Sequence, residues 1–370
     1  MRILHVMSCR GWSSDAYWAA RMSRELERRG HRVTLACRAG TESRVIARVR
    51  EEGVARVETL ALASGVRPGH DRADLARLLA WLPETDVVHV HRGKEHWLAA
   101  IANRLSRTPR PVVRTRHIAQ AVRPHAANRW LYRSATALVV TVTEAIRRQY
   151  LAAGLVDAGR LVTLSGGADA EAYAPRAADP ETRRRLGGAD GEPLVGMIGG
   201  LRVMKGHMVV VDAVARLAAE GRRLRLAFVG RGSQEGPVRQ MIAAAGLERR
   251  VTLAGFADDL PRVMAALDVA LYVPLESDGM SRIVWEYLAA GRPLVASRVG
   301  VVPEALEDGR HALLVHAGDA GDLARALARM LDDAALRARL GEAGRRLLLE
   351  RHSGARLAAA LEERYARLVA

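Results

Sequence analysis

From one end of the chain to the other, short β-branched and apolar runs alternate with amphipathic stretches of helical period, which confines the fold to parallel sheets flanked by helices. Runs at 3–7, 33–37, 87–90, 112–114, 138–142 and 161–164 read as strands, and a second series follows at 194–198, 224–229, 251–253, 269–273, 294–296 and 313–315. Helix patterns lie between them, such as 17–29 closed by Gly30 and 209–219 closed by Gly221. The segment PRAADPETRRRLGGADGEP, residues 175–193, is polar and rich in Gly and Pro and reads as a linker between the two series. The expected fold is therefore α/β, with two doubly wound, Rossmann-like domains at 1–174 and 194–350 facing each other across a cleft. Residues 351–370 read as a last helix packing back on the first domain. In such sheets ligands bind beyond the carboxyl ends of the strands, so functional residues are sought just after them.

Length and composition agree with two domains. At 370 residues the chain exceeds one ordinary core, and 49% hydrophobic residues supply two. No run of about eighteen apolar residues is present, so no membrane-spanning helix is expected. The opening MRILHVMS is a strand and a polar turn, too short in its apolar part for a signal peptide. Cys9 and Cys37 have no metal-type spacing and fit a reducing cytoplasm; Cys37 ends an apolar strand, and Cys9 lies near a ligand loop without an identifiable partner base. The formal charge of +16 raises the question of nucleic acid, but 55 of the 57 basic residues are arginines scattered through helices without interleaved aromatics. The charge is uneven: residues 1–173 hold 28 basic and 16 acidic residues, a field that suits an anionic acceptor, an anionic membrane surface or, equally, a plain solvated arginine-rich exterior.

The most informative local feature is Ser277 to Gly291, SDGMSRIVWEYLAAG. A strand at 269–273 ends at Pro274, Asp278 and Gly279 form a turn, and Ser281 is expected to cap a helix running to about Ala290. Gly291 can close that helix in the left-handed conformation, and Pro293 prevents its continuation. The start of such a helix presents unpaired N–H groups and a partial positive charge that attract phosphate. Glu286, over one turn inside, can accept two hydrogen bonds from a vicinal diol such as ribose, while Asp278 on the loop would face the other side of a diphosphate. Gly279, Met280, Ser281 and Arg282 complete the loop and helix start. After the first strand of the second series comes GGLRVMKGH, in which Gly199 and Gly200 let backbone approach phosphate and Arg202 and Lys205 can neutralise it. Only Lys94 and Lys205 are lysines, so Lys205 marks a position where a compact ammonium serves and a guanidinium does not.

With these residues in view, the chain resembles the retaining family 4 glycosyltransferases of the GT-B fold, of the bacterial cell-envelope polysaccharide and lipopolysaccharide type. GGLRVMKGH is similar to the family's phosphate-binding G-R-L-x-x-x-K-G, and SDGMSRIVWEYLAAGRPLVAS to its paired-acid segment and the A-x-G-x-P-V-V-A that follows. RRGHRV, DVVHVH, PVVRTRH, LSGGAD, FVGRG, VTLAGFADDLP and VGVVPEALEDGRHALLV resemble further family segments in the same order. Three positions depart from the pattern. Asp278 stands where the first acid is usually glutamate, Gly200 where an arginine is usual, with Arg202 a substitute two residues on, and SCRGWSSD has one glycine, Gly11, where many relatives have two.

The resemblance implies metal-independent transfer of a sugar from a UDP, GDP or ADP sugar to a glycan or glycolipid hydroxyl with retention, without a cofactor. It also implies cytoplasmic placement, with peripheral contact at the inner membrane face. On this reading Arg202, Lys205 and the helix start at Ser281 and Arg282 stabilise the leaving diphosphate, Glu286 holds ribose, and Asp278 the donor sugar. Gly11 approaches phosphate, Gly255, Phe256 and Ala257 line the base site, and His117 sits by the transferred sugar and acceptor; taken alone, Phe256 reads equally as a core aromatic and His117 also as a buried, hydrogen-bonded histidine. Arg202, Lys205, His117 and Asp278 are the expected catalytic group. Arg92, Lys94 and Arg116 could meet an anionic acceptor, with Arg114 and Arg123 as helpers. His89, His91 and His96 read as acceptor-side or structural groups in preference to metal ligands. Two other functions remain at this point: a GT-B nucleotide-sugar epimerase, which would convert donors without an acceptor, and a basic nucleic-acid-binding protein, with steeply salt-dependent affinity for any oligonucleotide.

Overall fold

A computed structural model describes residues 1–189, 191–277 and 279–370. The polypeptide divides into two compact units, Met1–Gly167 with Gly354–Ala370 (unit 1) and Ala168–Ser353 (unit 2).

Unit 1 is built on β1 (Arg2–Met7), β2 (Arg32–Arg38), β3 (Arg56–Leu60), β4 (Val87–Val90), β5 (Val112–Arg116), β6 (Leu138–Thr141) and β7 (Leu161–Thr163). All pairings are parallel, in the order β3-β2-β1-β4-β5-β6-β7. The order reverses between β1 and β4, the place where a doubly wound sheet opens for a ligand. The register there sets His5 directly opposite His89. β3, RVETL, was not expected from the sequence: it is an edge strand of mixed exposure, so charged Arg56 and Glu58 are tolerated and the apolar signal is diluted.

The helix Gly354–Val369 belongs to unit 1. It buries Leu357, Ala358, Leu361 and Tyr365, while Glu362 on its flank pairs with Arg29 and, at 3.0 Å, with His31. Its first residue lies against the helix Ser14–Arg28, where a Cβ on Gly354 would stand 3.3 Å from Arg21 and Glu25 side-chain carbons.

Unit 2 carries β8 (Leu194–Ile198), β9 (Arg225–Val229), β10 (Val251–Gly255), β11 (Val269–Tyr272), β12 (Leu294–Ser297) and β13 (Leu313–Val315) in the order β10-β9-β8-β11-β12-β13, again all parallel. Along β8, Leu194 and Ile198 enter one core with Trp285 and Leu288, and Val195 and Met197 enter another with Val211 and Leu327. A strand covered on both faces must be apolar throughout, which is why these strands stand out in the sequence.

The described residues of 175–193 (175–189 and 191–193) are not the linker that their composition suggested; they fold with unit 2. Leu186 is in its core, Pro180–Arg185 is a helix capped by Asp179, and Arg183 Nη2 reaches Asp268 Oδ2 at 2.8 Å. The polar side chains of this stretch cover a surface instead of crossing a gap.

Candidate functional site

In unit 2 the loops after β8, β9 and β10 are strutted together through backbone. Gly199 N–H donates to Val229 O at 2.9 Å, Leu201 N–H to Arg231 O at 3.1 Å, and Gly230 N–H to Gly255 O at 2.7 Å. Side chains are excluded from these crossings: a Cβ on Gly230 would lie 2.0 Å from Gly199 O, and one on Gly232 2.2 Å from Leu201 O. Arg202 is exposed and folds back, its Nε 3.4 Å from where a Gly200 Cβ would be. The guanidinium thus occupies the space from which an arginine at position 200 would start.

A tight turn, Val203–Lys205, leads through Gly206 into the helix His207–Ala219. Gly206 has φ +80°, and its missing side chain lets the turn press on β11's exit, since a Cβ would sit 2.1 Å from Val273 O. Leu275 N–H donates to Met204 O at 2.8 Å, so the two motif loops are bonded to each other. Lys205 Nζ lies 5.9 Å from the centre of the Tyr272 ring, and Tyr272 Oη is 2.6 Å from Ser281 Oγ. The lysine over the tyrosine ring and the tyrosine hydroxyl on the serine thus link the β8 loop to the start of the helix Arg282–Ala289.

Ser281 does not cap that helix as the sequence suggested. Its backbone is left-handed (φ 52°), it makes no side-chain cap bond, and its hydroxyl is directed to Tyr272. The first-turn N–H groups are consequently not covered by the serine. At the other end Ala290 and the left-handed Gly291 (φ 63°) close the helix as expected. Glu286 is buried, and its Oε1 accepts from Arg282 Nε at 2.5 Å, one helical turn earlier. The carboxylate keeps further acceptor capacity for a diol, held in orientation by the arginine. Met280 is buried with its carbonyl accepting from Trp285 Nε1 at 3.1 Å, and Gly279 N–H donates to Ser277 Oγ at 3.3 Å. Asp278 lies outside the described residues.

Beyond the ends of β9 and β10 a cavity of about 290 Å³ is lined by Val229, Ala254, Phe256, Ala257, Asp258 and Arg262, among others. Phe256 is 61% exposed, which removes a core role and leaves an aromatic face at the cavity. Gly255 (φ +67°) turns the backbone between strand and cavity.

In unit 1, His117 follows β5 and is 7% exposed. Its Nε2 is 3.2 Å from His91 Nδ1, and His91 Nε2 is 3.1 Å from His5 Nδ1. Burial holds the His5 and His117 imidazoles down to about 3, so both are neutral; Asp15 opposes that shift at His117 without reversing it. Burial alone would raise Asp15, but the hydrogen bonds from Arg92 (Nε to Oδ2, 2.6 Å) and Ser13 and the Arg92 charge hold it well below the usual carboxylate range. His96 is elsewhere, with Nε2 2.8 Å from Thr136 Oγ1. Gly11 lies between β1 and the helix Ser14–Arg28 with open space on its Cβ side. Burial pushes the Cys37 thiol up to about 12 and Cys9 in the same direction, so neither is an activated nucleophile.

Of the arginines expected from the sequence to meet an anionic acceptor, Arg92 is tied to Asp15, and Arg116 Nη2 donates to Gln120 O. Lys94 donates to Gly65 O at 2.7 Å and pairs with Asp71. Arg114 is buried, and Arg123 O accepts from Asn128 Nδ2. The structure thus brings Gly199, Gly200, Arg202, Lys205, Gly279, Ser281, Arg282 and Glu286 together on the carboxyl-end loops of unit 2, with Gly255, Phe256 and Ala257 at the adjoining cavity. Tyr272 was missed, because VALYV reads as a plain apolar strand; the one available signal was a hydroxyl at the last position of a buried strand. His5 was missed because its meeting with His91 depends on strand register.

Residues 16–172 match the family Glycosyltransferase Family 4, and residues 192–333 match Glycosyl transferases group 1. The 2-deoxystreptamine glucosyltransferase of Streptomyces kanamyceticus is 34% identical over 247 residues, 65% of this chain and 63% of that protein. A D-inositol 3-phosphate glycosyltransferase of Nocardia farcinica is 31% identical over 275 residues, 67% of this chain and 59% of that protein. The chain thus spans less than two thirds of the length of these curated relatives. The crystal structure of Anabaena HepE in complex with UDP superimposes with a TM-score of 0.83, covering 100% of both chains at 21% identity.

Proposed function

Since this chain joins a Glycosyltransferase Family 4 domain to a Glycosyl transferases group 1 domain in the GT-B fold, we propose that it is a retaining glycosyltransferase using a nucleoside-diphosphate sugar. The carrying observation is the Lys205–Tyr272–Ser281 link, which joins the glycine-strutted β8 loop to a helix start that the Ser281 side chain does not cap. Ammonium, backbone N–H groups and the positive helix end converge on one place, as binding of a diphosphate requires. Lys205, with Arg202 and Arg282, stabilises charge on the departing diphosphate. Glu286, oriented by Arg282, accepts from the ribose diol, and the base lies at the cavity beside Phe256.

The donor sugar is assigned to Asp278 and the acceptor side to His117, in both cases on the family resemblance. A front-face course fits acids that serve in binding: the acceptor oxygen attacks the anomeric carbon on the face the diphosphate leaves, and a leaving phosphate oxygen takes its proton. No metal is assigned to this step. UDP is the first donor to test, because the HepE structure contains it. The acceptors named for the curated relatives, 2-deoxystreptamine and D-inositol 3-phosphate, extend the acceptor class from envelope glycans and glycolipids to small polyhydroxy rings. We assign the protein to the cytoplasm, with contact at the inner membrane face when the acceptor is lipid-linked. Among the described residues no helix is long and apolar enough to cross a membrane.

A thermal-shift series with UDP, GDP and ADP sugars tests donor choice, since saturation at about 100 times Kd stabilises by roughly 2.7 kcal/mol. Lys205→Ala is expected to lower turnover on the order of 10²- to 10³-fold with smaller loss of donor binding. Unchanged turnover removes Lys205 from the chemistry, and donor conversion without acceptor replaces transfer by epimerisation.

A further inference from the structure

Three imidazoles form a row in unit 1. His5 on β1 meets His91 just past β4, and His91 meets His117 just past β5, through the 3.1 and 3.2 Å contacts described above. Their ring planes are nearly parallel, 23° apart for His5 and His91 and 27° for His91 and His117, with centres 5.3 and 5.5 Å apart, and the Trp18 edge closes over His91 and His117. A neutral imidazole carries one N–H, so such a row has two states: every N–H points toward His5, or every one points toward His117.

The two ends decide between them. His5 Nε2 and His117 Nδ1 are both buried without a partner among the described residues. A buried unpaired donor costs about 1–3 kcal/mol, more than a spare lone pair in the same place. Both end nitrogens are sealed alike, but His117 stands at a strand's carboxyl end, where ligands of these sheets bind, and feels the Asp15 carboxylate, which favours a donor on that side. The N–H therefore belongs at His117 Nδ1. The row ends blindly at His5, so it cannot pass a proton onward. Nor does His5 share a metal site with its neighbours. His5, His89 and His91 bring one nitrogen each within 4.8 Å, but His89 spends Nδ1 on Tyr365 Oη and Nε2 on Thr115 Oγ1 and stacks on His91 at 12°.

We propose that His5 and His91 are positioning residues that lock His117 as the Nδ1–H tautomer, so that it meets a carbohydrate oxygen as a hydrogen-bond donor and not as a base. Its consequence for turnover rests on the reading of His117 as an acceptor-side residue of a glycosyltransferase.

Two-dimensional ¹H–¹⁵N spectroscopy of the full chain labelled with ¹⁵N-histidine reads the tautomer directly, with the His117 signals assigned through H117Q. Nδ1 protonated and Nε2 unprotonated is the expected result; Nε2 protonated, or two tautomers in comparable population, overturns the proposal. His91→Asn retains a donor where Nδ1–H sits and is expected within about threefold of wild-type kcat, whereas His91→Leu should lose on the order of tenfold or more at little-changed KM. Equal losses in both variants, or none in either, also overturn it. If the variants do not fold, the wild-type spectrum decides alone. Unchanged turnover in His117→Ala removes the acceptor-side role and leaves the tautomer to the spectrum.

Discussion

A methyl group at position 206 would meet the Val273 carbonyl oxygen at 2.1 Å in a left-handed backbone, so Gly206 is fixed by both space and φ. Gly206→Ala should therefore part the two motif loops, destabilising unit 2 by roughly 1–3 kcal/mol and abolishing the thermal shift given by a donor nucleotide. A full nucleotide shift in that variant would show that the loops bind independently. Single residues differed in how readable they were. Lys205 stood out because the chain spends arginine almost everywhere else, and the exposed Phe256 could not be told from a core aromatic until its surroundings were known. Tyr272 was hidden inside a strand whose other side chains are apolar, since only register turns its hydroxyl toward Ser281.

At the scale of elements, the helix Arg282–Ala289 is not capped by the Ser281 side chain, whose hydroxyl meets Tyr272. Tyr272→Phe removes the hydroxyl partner of the buried Ser281, so the variant is expected to lose about 1 kcal/mol of stability and to bind the donor several-fold more weakly, about 1 kcal/mol. Isothermal titration with UDP and a melting curve on the same protein check both halves; unchanged affinity would detach Tyr272 from the site. Strands buried on both faces, such as β8 and β11, were legible as continuous apolar runs, and their loops followed from the rule that ligands sit after strands. The edge strand β3 was not, because partial exposure permits Arg56 and Glu58. The 175–193 stretch misled for a related reason: composition records which side chains meet water and says nothing of whether the backbone packs.

For the whole molecule, the buried histidines make stability depend on acid. His5 and His117 are held near 3 in the folded chain against 6.5 as the ordinary value, and burial lowers His89, His91 and His96 as well. Above about pH 6.5 neither state takes up these protons; below it the unfolded chain does and the folded chain does not. Stability should thus fall as pH drops from 6.5 toward 3, by about 1.4 kcal/mol per pH unit for each histidine titrating only when unfolded. Urea unfolding at neutral and mildly acidic pH, followed by a unit 1 signal such as Trp18 fluorescence, measures it; a flat profile would mean the imidazoles are solvated. Unit 1 also depends on its far segment: removal of 354–370 uncovers the partners of Leu357, Leu361 and Tyr365, and loss of cooperative melting is expected. The same discontinuity governs how the chain is made. A ribosome releases the seven strands of unit 1 first, yet the helix that covers His89 emerges only after all of 168–353, so unit 2 can mature as an uninterrupted nascent domain while the earlier-born unit waits, open at one flank, for its last piece.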